Sequence, residues 1–269
     1  MNARFGEKGQ FLLAAGLVFA VTVGQIAIRA RLTAPTTDYN EQLRMARYLA
    51  EGAGFVCPVG PLRNDPSSWY TPGYVALMAG AVKLFGGATP GALASIRVLN
   101  AAALGLAAGF AFLLARRLLD STVAWTAVVL IAVSPALAYK AGEIWDTHWT
   151  MLGGLAVMFL LVGVRPRRPA AVLGTGLACG AAAMINPSFT LCYPVWVAYA
   201  AWKTRRRSAS PGRTAAHLGR YAGLALAGFV LAILPWTVRN VRTFGELFYL
   251  RGNLPMEMWV GNAPWSDGQ

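Results

Sequence analysis

Within the stretch "SPALAYKAGEIWDTHWT", Glu143, Asp146 and His148 fall inside six residues. Two carboxylates and an imidazole this close are groups that can move a proton to or from a reacting hydroxyl or amine. A second acidic position, Asp38 with Glu41 three residues on, opens the stretch "DYNEQLRMARYLAEGAGF". Both places also have plain structural readings. Asp38 reads equally as a helix N-cap with Glu41 completing an acidic capping box, and the trio reads as ordinary loop polarity. His148 lies two residues from Asp146 without the spacing of a helical metal pair, so metal ligands stay unknown and carboxylates alone leave room for a divalent ion. Arg239 and Arg242 emerge beside Trp236. They read as interfacial snorkelling or as a clamp on phosphate.

The elements that must position these residues are built for lipid. Hydrophobic residues make up 56% of the chain and charged ones 13%, outside the balance of a soluble domain. Seven apolar runs, Phe11–Ile28, Ser95–Ala115, Thr122–Tyr139, Thr150–Val164, Ala170–Ile185, Ser188–Trp202 and Leu218–Trp236, approach the roughly 17–25 residues of a spanning helix. An all-α, polytopic bundle of about seven spans is therefore expected. The first run is too long for a cleavable signal and is followed by Arg29-Ala30-Arg31 rather than a small-residue cleavage site. With the N-terminus inside, and the shorter run Pro72–Phe85 re-entrant or interfacial, the basic clusters at Arg116-Arg117, Arg165 to Arg168 and Lys203 to Arg220 all fall on the inner face. The net charge of +13 is explained by this bias, and no nucleic-acid partner is expected. Every acid except Glu7 and Asp120 then faces out.

The first outer loop, about 31–94, is long enough to be functional. It holds an amphipathic helix after Asp38, suited to a bilayer surface or the underside of a lid. It also holds "WYTPGYVALMAG", whose Tyr70 and Tyr74 either anchor at the headgroups or shape a groove for lipid or sugar. A second outer loop covers about 140–149. The small residues of Ala170–Ala183 suit close helix packing, Asn186-Pro187 a tight turn, and Cys57, Cys179 and Cys192 show no pairing.

Taken in order, an acid after the first span, a helix ending in Gly-x-Gly-Phe, "TPGYVALMAG", Arg-Arg after the next span, "SP" before an acidic outer loop, and "PWTVRN" with "VGNAP" beyond resemble the bacterial membrane glycosyltransferases of the C-type fold. The chain looks most like the family 39 and aminoarabinose-transferase-like group. The resemblance implies a sugar donor linked to polyprenyl phosphate and a lipid, glycan or protein acceptor, met at the outer face of the inner membrane. It implies Asp38 as the general base, with inversion at the anomeric carbon. Asp146, or Glu143 beside it, would be the second acid. Glu41, Tyr70, Tyr74 and His148 are the expected substrate contacts, and Arg63, Lys83, Arg97, Lys140 and Arg239 the candidate cations for the carrier phosphate. No cofactor is called for. The pattern often has Arg where Asn186 stands. Residues 1–236 read as the catalytic module and 237–269 as the incomplete start of a following outer loop. Other readings are a transporter or flippase, which the absence of ionisable residues at span centres and of internal repeats disfavours, and a non-catalytic truncated scaffold, indifferent to mutation of Asp38 and Asp146.

Overall fold

The computed structural model describes residues 6–32, 40–57, 65–163, 168–191, 194–195, 198–199, 211–252, 258–259 and 262. The chain is an all-α, polytopic membrane bundle. Its helices are α1 (Glu7–Leu32), α2 (Glu41–Ala50), α3 (Pro72–Leu84), α4 (Pro90–Leu118), α5 (Ser121–Val133), α6 (Pro135–Gly142), α7 (Thr147–Gly163), α8 (Pro169–Ala183) and α9 (Pro211–Phe244). Among the described residues the sole extended pairing is an isolated bridge between Val56 and Pro66.

Three helices, Glu7–Arg31, Pro90–Leu118 and Leu218–Phe244, are long and apolar enough to cross a membrane, and α5 with α6 makes a fourth if the bent pair counts as one span. The apolar run Thr122–Tyr139 is thus not one straight rod. It turns by 53° at Ser134. Pro135 takes the first position of α6, where its missing N–H costs nothing, and the Ser134 hydroxyl accepts from the Leu137 amide. The runs at Thr150–Val164 and Ala170–Ile185 form α7 and α8, of 17 and 15 residues. Most of Ser188–Trp202 lies outside the described residues.

α3 has 13 residues, about 20 Å at 1.5 Å per residue, which is short of a roughly 30 Å hydrocarbon core. Its Tyr74, Val75, Met78 and Val82 are buried together with Leu43, Met45 and Ala46 of α2. The amphipathic helix therefore spends its apolar face on α3. Elsewhere small residues let backbones approach. In α8 a side chain at Gly176 would collide with the Ala225 carbonyl of α9 and one at Gly180 would come within 2.6 Å of the Phe229 oxygen, while in α9 one at Gly228 would strike the Leu173 oxygen of α8. These contacts advance together along both helices, so α8 and α9 run parallel. Cys179, Phe229, Ile233 and Trp236 of the pair share a core with Val157 of α7.

One end of the bundle collects polar contacts. The ends of α1, α6, α8 and α9 and the starts of α2, α3, α4 and α7 all meet there. Arg116 and Arg117 end α4 and Arg168 precedes α8, away from the polar end, and the Arg117 guanidinium lies 4.0 Å from the Phe159 ring.

Candidate functional site

The polar end is tied together by side-chain to backbone bonds between segments far apart in sequence. Asn40 caps α2: its Oδ1 accepts from the Leu43 amide at 2.8 Å, while its Nδ2 donates to the Ile144 carbonyl. This corrects the capping expectation, since the N-cap is Asn40 rather than Asp38. Glu41, at the first helical position, uses its carboxylate to accept from the Tyr70 hydroxyl at 2.8 Å. The start of α3 is fixed to the end of α8, with Thr71 Oγ1 donating to the Ile185 carbonyl at 2.6 Å and the Gly73 amide to the Met184 carbonyl at 2.8 Å. A Cβ at Gly73 would sit 2.7 Å from that same carbonyl oxygen, so only glycine permits the approach.

Asn100 joins α3, α4 and the segment between α6 and α7. Its Oδ1 accepts from Tyr74 at 3.2 Å and from Trp149 Nε1 at 3.1 Å, and its Nδ2 donates to the Glu143 carbonyl at 3.0 Å. Arg97 Nε holds the Gly142 carbonyl at 2.9 Å. These bonds shape the turn that presents Asp146.

Asp146 lies on the wall of a cavity of about 250 Å³, lined also by Gln42, Trp69, Tyr70, Thr71, Tyr74, Val75, Trp145, Ile185, Asn186, Pro187 and Arg251. Asn186 Nδ2 donates to Asp146 Oδ2 at 3.3 Å, while Asn186 Oδ1 accepts from the Ser188 amide. The residue is at once the turn its sequence suggested and a partner of the carboxylate. Burial raises the Asp146 pKa above its ordinary value; the Asn186 hydrogen bond and the Arg251 charge pull the other way and do not offset it.

Of the residues expected from sequence, Tyr70, Tyr74 and Asp146 share the cavity wall, with Glu41 bonded to Tyr70. Glu143 turns away from the cavity to an ion pair with Arg29 at 2.6 Å. Lys140 is exposed, its ammonium 5.5 Å from the ring of the cavity residue Trp145. His148 is fully buried, with Nε2 3.0 Å from the Leu137 carbonyl oxygen. Lys83 is exposed near the far end of α3. Arg239 grips backbone: Nη1 donates to the Ser67 carbonyl at 2.9 Å and Nη2 to the Phe55 carbonyl at 3.0 Å. Asp38 and Arg63 lie outside the described residues. Among those described, no group of three or more His, Cys, Asp or Glu comes together.

The cation on the cavity wall is one the sequence did not single out. α9 continues to Phe244, and Gly245, at φ +74°, turns the chain back. Trp236 Nε1 then holds the Leu250 carbonyl at 2.7 Å, and Arg251 Nε donates to the Trp69 carbonyl at 2.8 Å with its guanidinium 5.5 Å from the Tyr70 ring. Gln42 was hidden in the same way, as one polar position of an amphipathic helix.

An all-α bundle whose acid-bearing cavity opens at one end of its helices is suited to an enzyme working at a membrane surface. Over residues 70–236, more than half of the chain, the sequence matches the family described as dolichyl-phosphate-mannose-protein mannosyltransferase, and the chain belongs to that family. It is accordingly a multi-pass membrane glycosyltransferase of the kind that draws on a polyprenyl-phosphate-linked sugar. No curated protein and no solved structure matches it. The matched stretch contains Tyr70, Tyr74, Asp146 and Asn186; Asp38, Gln42 and Arg251 lie outside it.

Proposed function

We propose that this protein moves a sugar from a polyprenyl-phosphate carrier to a lipid, glycan or protein acceptor at the outer face of the inner membrane, in the manner of family 39 and aminoarabinose-transferase-like enzymes. The observation that carries the reading is the cavity that the half-buried Asp146 and Arg251 line together among aromatic rings. A half-buried acid near a cation, walled by Trp and Tyr, matches what the transfer demands: an acceptor to orient, a leaving phosphate to neutralise and a sugar ring to hold.

In this mechanism Asp38 takes the proton from the acceptor as it attacks the anomeric carbon. The bond to the carrier phosphate breaks on the opposite side, which inverts the sugar, and the phosphate leaves with its electrons toward Arg251. Asp146 orients the acceptor. Support for Asp38 is its place in the sequence, an acid directly after the first apolar run. Between the two acids of the second loop, Asp146 is favoured because Glu143 is engaged by Arg29.

Asp38→Asn, assayed in proteoliposomes with polyprenyl-phosphate-linked sugars, is expected to lose about 10²–10⁴-fold in turnover, the usual contribution of a positioned base, while inserting normally. Near-normal turnover in that variant would remove Asp38 from the mechanism.

A further inference from the structure

The polar side chains around the cavity are almost all spoken for. Tyr70 donates to Glu41, Tyr74 to Asn100, Thr71 to the Ile185 carbonyl, and Asn186 spans Asp146 and the Ser188 amide. Gln42 departs from this pattern. It lines the cavity, is 6% exposed, and its Oε1 is buried with no hydrogen-bond partner among the described residues. A buried amide oxygen left unpaired is costly and uncommon in a folded protein, and a functional role is among its ordinary explanations.

We infer that Gln42 is a specificity-determining contact for the sugar ring of the donor, its Oε1 accepting one ring hydroxyl. This rests on the transferase reading above. The cavity, at about 250 Å³, has room for on the order of eight waters at ~30 Å³ each. That suits a single sugar ring and leaves the prenyl chain outside. Trp69, Tyr70, Tyr74 and Trp145 supply flat apolar faces for the carbon side of the ring. Oε1 is shielded as it stands, and a turn about the soft terminal torsion of Gln42 would carry it to the cavity side. A neutral acceptor discriminates among sugars by the presence of the hydroxyl it receives, because a donor lacking that group leaves the amide unpaired.

The test uses the full chain in proteoliposomes, with farnesyl-phosphate-linked mannose and its monodeoxy analogues. For the unaltered protein, one deoxy donor is expected to lose about tenfold in kcat/KM, the effect of one neutral hydrogen bond. Gln42→Met is expected to lose about tenfold with the parent donor and nothing further with that deoxy donor. If the variant instead loses the same factor with every donor, or if the unaltered protein accepts all deoxy donors equally, the inference is overturned. Should Gln42→Met fail to insert, Gln42→Asn, which withdraws the same acceptor by one methylene, takes its place. If no donor is turned over by the unaltered protein, the transferase reading fails by itself. Quenching of Trp69 and Trp145 fluorescence by farnesyl phosphomannose then decides the subsite: binding weakened about tenfold in the Gln42 variant sustains it, and no binding, or equal binding, overturns it as well.

Discussion

Asp146 sits where two physical effects oppose each other, and their balance is measurable. Burial disfavours its charged form, while Asn186 and Arg251 favour it, and burial prevails. A carboxyl whose folded pKa lies above its unfolded value destabilises the fold once ionised. The contribution of Asp146 is thus most favourable below pH 3.8, the ordinary value, and is lost as pH rises through the folded value. Asp146→Asn removes the dependence. Its melting temperature relative to the unaltered protein is expected to climb as pH is raised from about 4 to 7, read by thermal unfolding in detergent. A constant gap would mean that the Asn186 hydrogen bond and the Arg251 charge balance burial, and a narrowing one that they outweigh it. The acid was legible in the sequence because "EIWDTH" concentrates charge after an apolar run. Its partners were not: Asn186 lies 40 residues and Arg251 105 residues further on, and each reaches Asp146 through a turn whose local sequence does not say where it points.

At the scale of elements, α8 and α9 show which glycines matter. Gly176, Gly180 and Gly228 stand where a side chain would strike the opposing backbone, whereas Gly219 and Gly223 of the same α9 have nothing within 4 Å. In lipid, helices associate through such packing rather than through the hydrophobic effect. Gly228→Val is expected to destabilise by about 1–3 kcal/mol, the typical cost of overpacking, and to lower the yield of inserted protein. Gly223→Val is expected to leave both near their original levels, since a β-branched residue in an exposed helix position changes little. Equal behaviour of the two variants in size-exclusion profiles and thermal unfolding would show that the close approach carries no weight. The small-residue content of Ala170–Ala183 announced this packing without naming the partner helix. The break at Ser134 was also written in the sequence, as a capping serine before a proline, but an uninterrupted apolar run masked it. Hydropathy reports solvent preference and is silent about direction. The cap on α2 shows the same limit from the other side, because Asp38 and Asn40 are both good capping residues and it is the bond from the Leu43 amide to the Asn40 side chain that decides between them.

At the scale of the molecule, charge placement and helix direction agree. Starting from an inner N-terminus, α1 ends at the polar end with Arg29 bonded to Glu143, and α4 returns to the opposite end at Arg116 and Arg117. α5 with α6 comes back to Glu143, α7 departs from Asp146, and the parallel pair α8 and α9 both finish at the polar end, where Thr71 meets Ile185 and Arg239 holds Ser67. Basic residues concentrated at the far end are what the positive-inside rule requires if the cavity faces outward. That orientation is checked in intact cells with single cysteines introduced into a background lacking Cys57, Cys179 and Cys192. A cysteine at Glu246, beside the turn that carries Arg251, is expected to react with a membrane-impermeant maleimide from outside. One at Lys8 is expected to react only after permeabilisation. The reverse pattern would put the cavity in the cytoplasm, and with it the acceptor and the step that loads the carrier. Because Glu246 and the cavity share one end of α9, that single pair of labels orients every helix whose end is bonded to the site.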